Sequence, residues 1–293
     1  MHIARTLPDL RAALAPYQRP AFVPTMGNLH DGHIALVSAA LPLGDAVVPS
    51  IFVNRLQFLP HEDFDTYPRT WDADCERLRN AGCTVLFAPS EQALYPQPQT
   101  CKLVPDPALA DILEGQFRPG FSTGVCTVVN KLLQCVQPRT LLMGKKDYQQ
   151  LVVVRHMVQQ MAMEIDVVGC ETLRADDGLA LSSRNGYLLP AQRADDGLAL
   201  SQILRCIADA VRNGRTDFAA IEAEAQATLT ARGWQPDYLT VRQQGNLQAP
   251  RSGQIHTDQI TDGPDNIHHG ASRVVVLGAA RLGGTRLIDN VEI

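Results

Sequence analysis

Short apolar runs alternate with stretches of helical periodicity up to about residue 170. Ala21 to Val23 reads as a buried strand, closed by Pro24-Thr25-Met26-Gly27 ahead of a helical pattern from about Gly32 through Ile34, Leu36 and Val37. Ala46 to Val53 is the next apolar run; Pro49 within it predicts a bulge or a late strand start. Thr70 to Ala81 is predicted helical, with Asp72 and Asp74 near its start and Gly82 past its end. Strands are predicted at Thr84 to Phe87, Thr140 to Met143 and Ile165 to Val168, and helices at Gly124 to Val136 and Asp147 to Met161. Strands separated by helices imply an α/β fold with a Rossmann-like, doubly wound parallel sheet, whose ligands lie at the carboxyl ends of the strands.

The pattern then changes. Two alanine-rich helices, Ala191 to Asn213 and Asp217 to Arg232, precede strands at Tyr238 to Val241 and Arg273 to Leu277. Gly283-Gly284 turns the chain into Thr285 to Ile288 as a hairpin. These features predict a smaller α+β domain at 176–293 after an α/β domain at 1–175, with a mobile polar loop at about 248–272. His268-His269 in that loop has no ligand cluster nearby in the sequence. The run Arg174-Ala175-Asp176-Asp177-Gly178-Leu179-Ala180-Leu181-Ser182 recurs at Arg193 to Ser201; only the first copy continues into Ser183-Arg184-Asn185, and only that copy reads as a site.

Composition narrows the possibilities. With 293 residues, 45% apolar and 19% charged, the chain has enough material for a large core and is neither disordered nor collagen-like. No apolar run approaches the roughly 18 residues of a membrane span, and Met1 to Arg5 does not open a signal sequence. A net charge of −5 speaks against bulk nucleic-acid affinity while leaving room for a local phosphate pocket. The seven cysteines contain no C-x-x-C pair, so neither a disulfide framework nor a zinc knuckle is expected, and a reducing cytoplasm is.

The candidate chemistry centres on Met26-Gly27-Asn28-Leu29-His30-Asp31-Gly32-His33, between a strand and its helix. Such a junction offers backbone N–H groups and the positive end of a helix dipole to phosphate. Three residues apart on a first turn, His30 and His33 face one side and can donate to phosphate oxygens as charge grows there, while Gly32 leaves room for a nucleotide to approach. No Walker loop and no G-x-G-x-x-G after the first strand is present. Gly120-Phe121-Ser122-Thr123-Gly124 fits a hydrolase nucleophile elbow in letters, but Glu114 to Pro119 ahead of it is not the apolar strand an elbow needs.

These residues resemble the pantothenate synthetase (pantoate–β-alanine ligase) family. The resemblance is carried by Pro24 to His33, Ser50 to Asn54 with Gln57-Phe58, Glu62 to Asp65 with Tyr67 to Thr70, and Val136 to Pro138. Further on it is carried by Gly144 with Lys146 to Leu151, Asp177 to Ala180 with Ser182 to Asn185, and Ala280 to Asn290. It implies an H-x-G-H nucleotidyltransferase-type domain closed by a smaller one, and a homodimer. It also implies ATP with Mg²⁺ as the means of joining pantoate to β-alanine through a pantoyl adenylate. By resemblance, Met26 to His33 lie along ATP, with His30, His33, Lys146 and Arg184 catalytic. Gly144, Lys145, Lys146, Asp147, Leu173, Leu181, Ser182, Ser183 and Arg184 complete the ATP site. Gln57 would hold pantoate and β-alanine, and Gln150 pantoate.

The chain departs from the family pattern at Arg55 (usually Pro), Phe121 (often His), Lys145 (usually acidic), Ala175 (usually Glu) and Leu181 (Met). Cations at 55 and 145 are expected to tighten triphosphate or diphosphate binding. Two other functions stay open at this point. One is a different H-x-G-H nucleotidyltransferase, which gives no reason for Gln57 and Gln150; the other is a non-catalytic nucleotide-binding protein, supported only by the charge changes.

Overall fold

The computed structural model describes residues 1–60, 62, 64–189, 192–193, 197–250 and 273–293. The chain forms two compact units. One comprises Met1–Lys145, Gln149–Leu173 and Leu181–Ser183; the other comprises Lys146–Tyr148, Arg174–Ala180 and Arg184–Ile293.

The first unit is built on six strands, β1 (His2–Ala4), β2 (Pro20–Thr25), β3 (Ala46–Ile51), β4 (Val85–Phe87), β5 (Thr140–Gly144) and β6 (Asp166–Cys170). All pair in parallel, in the order β1-β4-β3-β2-β5-β6. Strand order reverses at β2, so the switch point where such sheets bind ligands lies past the carboxyl ends of β2 and β5. Helices α1 (Leu7–Leu14), α2 (Asp31–Ala40), α3 (Trp71–Asn80), α4 (Phe121–Val136) and α5 (Tyr148–Gln160) complete this part of the chain. Ala21, Val23, Val47, Leu86 and Leu142 pack with Val37, Cys75 and Leu78, while Phe22, Val48 and Leu141 are fully buried. Burial of both sheet faces explains why these strands read as continuous apolar runs.

The prolines behave differently from expectation. β2 continues through Pro24 to Thr25, and β3 runs through Pro49 without a bulge, in register with Val23. Phe52 N–H donates to Thr25 O and Thr84 N–H to Val47 O. Odd residues of β2 therefore face β3, and odd residues of β3 face β4. Pro24, lacking a donor, is thus turned toward β5, where the ladder stops at Phe22–Leu141. Pro49 is turned toward β4, where the ladder is reduced to Ser50–Phe87. β1 and α1 are further elements that the sequence pattern did not reveal. The signals for α1 were Thr6, whose hydroxyl caps Asp9 N–H, and Pro8 in the first turn.

The second unit pairs β7 (Gln235–Gln243), β8 (Val274–Leu282) and β9 (Thr285–Glu292) antiparallel, in that order. The expected hairpin is present: Leu282 opposes Thr285 across Gly283-Gly284, and Gly283 has φ +59°. Helices α6 (Ala199–Arg212) and α7 (Phe218–Ala231) cover a core containing Leu204, Ile207, Leu229, Trp234, Leu239 and Val276. A Cβ at Gly278 would lie 2.9–3.0 Å from Leu204, Leu239 and Leu200, which is how closely α6 approaches β8. The loop expected at 248–272 lies, from residue 251 on, outside the described residues, as does His268-His269.

Candidate active site

β2 delivers the chain into a loop held from below by a carboxylate. Thr25 Oγ1 donates to Ser50 O (2.6 Å), tying the strand end to β3. The next residues take left-handed backbone, Gly27 at φ +85° and Asn28 at φ +50°. Their backbone is fixed by Asp74 of α3, which is 2% exposed: Oδ2 accepts from Asn28 N–H (2.9 Å) and Oδ1 from Leu29 N–H (2.8 Å) and Thr70 Oγ1 (3.0 Å). In the sequence Asp74 reads only as a helix-start signal; the loop N–H groups it holds, at Asn28 and Leu29, lie more than forty positions away. Leu29 turns its side chain into the core beneath.

His30 caps α2. Its Nδ1 accepts from Gly32 N–H (3.1 Å), and His33 Nδ1 accepts in turn from His30 N–H (3.3 Å), a reciprocal capping box made of two imidazoles. The rings stand 4.1 Å apart, centroid to centroid. Because each Nδ1 is an acceptor, the neutral rings carry their proton on Nε2. Gly32 serves a purpose other than the one expected. A Cβ there would lie 2.9 Å from His30 Nδ1 and Cε1, so the space is filled by the His30 ring rather than left for a ligand. Asp31 is exposed and pairs with Arg77 of α3 (2.8 Å).

Gln57 meets the same loop. Its Nε2 lies 3.1 Å from Met26 Sδ, and its Oε1 accepts from Asn54 Nδ2 (3.2 Å). Asn54, 1% exposed, also donates to Gly124 O (3.2 Å) and accepts from Tyr95 OH (3.4 Å). Burial, reinforced by Glu91, pushes the Tyr95 phenol up to about 12, so it remains a donor at neutral pH. The turn carrying Gln57 rests on α4 at Gly124, where a Cβ would come within 2.1 Å of Leu56 O. Arg118 donates to Gln57 O (3.2 Å), pairs with Glu62 (2.6 and 2.7 Å) and lies 3.9 Å over the Phe121 ring. Asn54, Tyr95 and Arg118 were not identified as site residues from the sequence. Gly120 to Gly124 is no nucleophile elbow: a short helix, Glu114–Phe117, precedes it, and Phe121 to Gly124 form the first turn of α4.

Gly144, at the end of β5, has open space around it, and Lys145 is half-buried against the exposed Glu171 (2.5 Å). The cation expected to strengthen phosphate binding therefore already has a carboxylate beside it. Gln149 is buried and structural, accepting from Glu114 N–H and donating to Leu109 O and Ile112 O, whereas Gln150 is half-buried. Leu173 is 42% exposed, and its carbonyl accepts from Leu181 N–H. Ser183 Oγ donates to Asn28 O (3.4 Å), and Ser182 is half-buried. All of these belong to the first unit. Lys146, Asp147 and Arg184 belong to the second, where Lys146 and Asp147 form a short 3₁₀ turn before α5. Among the described residues, no three His, Cys, Asp or Glu side chains gather as metal ligands, and no helix is long and apolar enough to cross a membrane.

Known proteins resemble this chain along its whole length. Residues 2–292 match the family profile described as Pantoate-beta-alanine ligase. The chain is 60% identical to a protein named pantothenate synthetase from Verminephrobacter eiseniae (strain EF01-2), over 100% of both chains. It is 56% identical to one of the same name from Paracidovorax citrulli (strain AAC00-1), again over 100% of both. Its structure resembles pantothenate synthetase from Thermus thermophilus, with TM-score 0.86 and 38% identity over 100% of this chain and 99% of that one. It also resembles pantoate-beta-alanine ligase from Francisella tularensis, described as complexed with beta-gamma ATP and beta-alanine, with TM-score 0.75 and 31% identity over 100% and 97%. By profile, identity and architecture together, the chain belongs to the pantoate–β-alanine ligase family.

Proposed function

We propose that this chain condenses pantoate with β-alanine, converting ATP to AMP and diphosphate by way of a protein-held pantoyl adenylate. The observation carrying this reading is the contact between Gln57 and Met26. It sets an amide able both to donate and to accept, as a hydroxy acid requires, against the loop that ends in the His30–His33 pair. The nucleotide-bearing description of the Francisella relative supports the same substrate classes.

In the first step a pantoate carboxylate oxygen forms a bond to the α-phosphorus while the bond to diphosphate breaks. The carboxylate is already a nucleophile at neutral pH, so the residues' task is alignment and charge stabilisation. His30 and His33 donate from Nε2 to phosphate oxygens; Lys146 and Arg184 meet the growing charge, with Ser182, Ser183 and the loop Met26 to Gly32 along the nucleotide. Gly144 and Lys145 border it, and Leu173, exposed and apolar, packs on adenine. Gln57 and Gln150 hold pantoate. In the second step the β-alanine amine, beside Gln57, forms a bond to the acyl carbon, loses a proton, and AMP departs. No bond to the enzyme forms.

Mg²⁺ supplies charge neutralisation when bound. The exposed Asp147 is the carboxylate that would hold it, and bound there it would neutralise charge beside the phosphates. The first unit, Met1–Lys145 with Gln149–Leu173 and Leu181–Ser183, carries most of the ATP- and pantoate-binding residues, in a cytoplasmic homodimer.

Mass spectrometry of a reaction containing ATP, pantoate and β-alanine tests the reading. Pantothenate and AMP are expected. Without β-alanine, one diphosphate per site and a retained pantoyl adenylate are expected. His33→Ala should lower kcat by about a hundredfold or more, the usual loss for a transition-state donor. Pantothenate without any adenylate would refute the intermediate, and no pantothenate at all would refute the function.

A further inference from the structure

We propose that the end of β9, through Asp289 and Asn290, positions the two segments of the second unit that carry Lys146 and Arg184. The proposal rests on the reading of those two cations as triphosphate-holding groups. β9 is well placed to act as a fixed reference. It is paired along its length with β8, Asp289 opposite Gly278 and Asn290 opposite Leu277. Leu287 lies in the core beneath α6 and α7, and Val291 packs against it. Strand alternation therefore directs Asp289 to the face of Leu287 and Val291, and Asn290 to the opposite face.

Each of the two adjacent residues grips a different segment. Asp289, nearly buried, receives both limbs of the Arg174 guanidinium, Nη1 to Oδ2 (2.8 Å) and Nη2 to Oδ1 (2.9 Å). The same guanidinium donates to Asn290 O (3.3 Å) and closes the turn behind it at Gly178 O (3.2 Å). Arg174 pairs with Ala180, and Asn185 Nδ2 holds Ala180 O (2.9 Å), so the clamp is continuous with the residue next to Arg184. On the other face, Asn290 Nδ2 donates to Lys146 O (3.0 Å), and Glu292 accepts from Tyr148 OH (2.9 Å). Lys146 is thus held by its backbone from Asn290, with Glu292 two residues on.

Stability alone is a weak reason for such a pair, because well-packed apolar replacements of buried ion pairs are often no less stable. A two-limbed guanidinium–carboxylate contact instead fixes angle as well as distance, which a phosphate-gripping segment requires. Asp289 and Asn290 are accordingly positioning residues rather than catalytic ones.

The test uses the full-length enzyme with Asp289→Asn, Asn290→Ala and Arg174→Lys, alongside Lys146→Ala and Arg184→Ala. KM is measured for ATP and for β-alanine, kcat for pantothenate formation, and folding by thermal melts. Asp289→Asn and Asn290→Ala should each raise KM for ATP about tenfold with KM for β-alanine within twofold; Arg174→Lys, which keeps the charge but loses the fork, should fall between. If Asp289→Asn does not fold, the other two substitutions carry the same expectation. An unchanged KM for ATP in the folded variants, or an equal rise for both substrates, overturns the bracket. If Lys146→Ala and Arg184→Ala also leave both KM for ATP and kcat unchanged, the nucleotide reading fails with it; if they raise KM or lower kcat, only the bracket fails.

Discussion

A buried carboxylate with three donors aimed at it has little room for exchange. In Asp74→Asn, keeping the oxygen at the Oδ1 position satisfies Leu29 N–H and Thr70 Oγ1, but sets an NH₂ group against Asn28 N–H. A buried donor left without an acceptor costs about 1–3 kcal/mol. The loss falls on Asn28, whose left-handed backbone starts the approach to His30. Asp74→Asn should lower the melting temperature and raise KM for ATP together; steady-state kinetics beside a thermal melt checks this, and an unchanged KM would mean the loop does not depend on the carboxylate. This dependence could not be read from the chain, because Asp74 looks like an ordinary first-turn acid. The histidine pair was legible, since its whole geometry is contained in four consecutive positions.

Thiol burial gives a second prediction at this scale. Desolvation pushes Cys83 and Cys126 from 9.0 up to about 12. A raised folded-state pKa means the native protein keeps a proton that the unfolded chain releases. The associated stability is therefore complete below pH 9 and is lost as pH rises from 9 toward 12. Denaturant midpoints should decline across that window, and Cys83→Ala with Cys126→Ala should flatten the decline. An identical slope in the double variant would assign the alkaline loss to other groups.

Among elements, the contact between α4 and the turn at Arg55–Gln57 governs where Gln57 sits. In Gly124→Ala the new Cβ meets backbone, Leu56 O at 2.1 Å, Leu56 C at 2.5 Å and Gln57 N at 2.8 Å, none of which can rotate away. The turn must lift, taking Gln57 from Met26. Displacements on the order of 1 Å at a positioning group can cost about a hundredfold in rate. KM for pantoate should rise at least tenfold in Gly124→Ala, more than KM for ATP; wild-type kinetics for pantoate would show that Gln57 does not hold it. The sequence disclosed the strands and helices of both units well because their apolar periodicities are local. It failed where pairing rather than pattern decides the outcome. β1 is three residues long and exists through its ladder with β4, and Pro24 and Pro49 are tolerated only because the neighbouring ladders end or thin on their side.

At the scale of the molecule, each unit has an apolar cluster of its own among the described residues, and the two tryptophans lie one in each unit. Trp71 packs against the first core and lies 4.6 Å beneath the Arg5 guanidinium; Trp234 is fully buried in the second. Trp71→Phe and Trp234→Phe therefore leave a single fluorophore reporting one unit at a time. Units with their own cores need not unfold together, so the two variants should show different denaturant midpoints. His30, His33, Gln57 and Gln150 all lie in the unit reported by Trp71. A ligand that binds only the folded state stabilises it by about 2.7 kcal/mol at a hundred times its dissociation constant. ATP and pantoate at that excess should accordingly raise the midpoint seen by Trp71. Coincident midpoints without ligand would mean one cooperative transition, and a Trp71 midpoint indifferent to both substrates would remove the site from that unit.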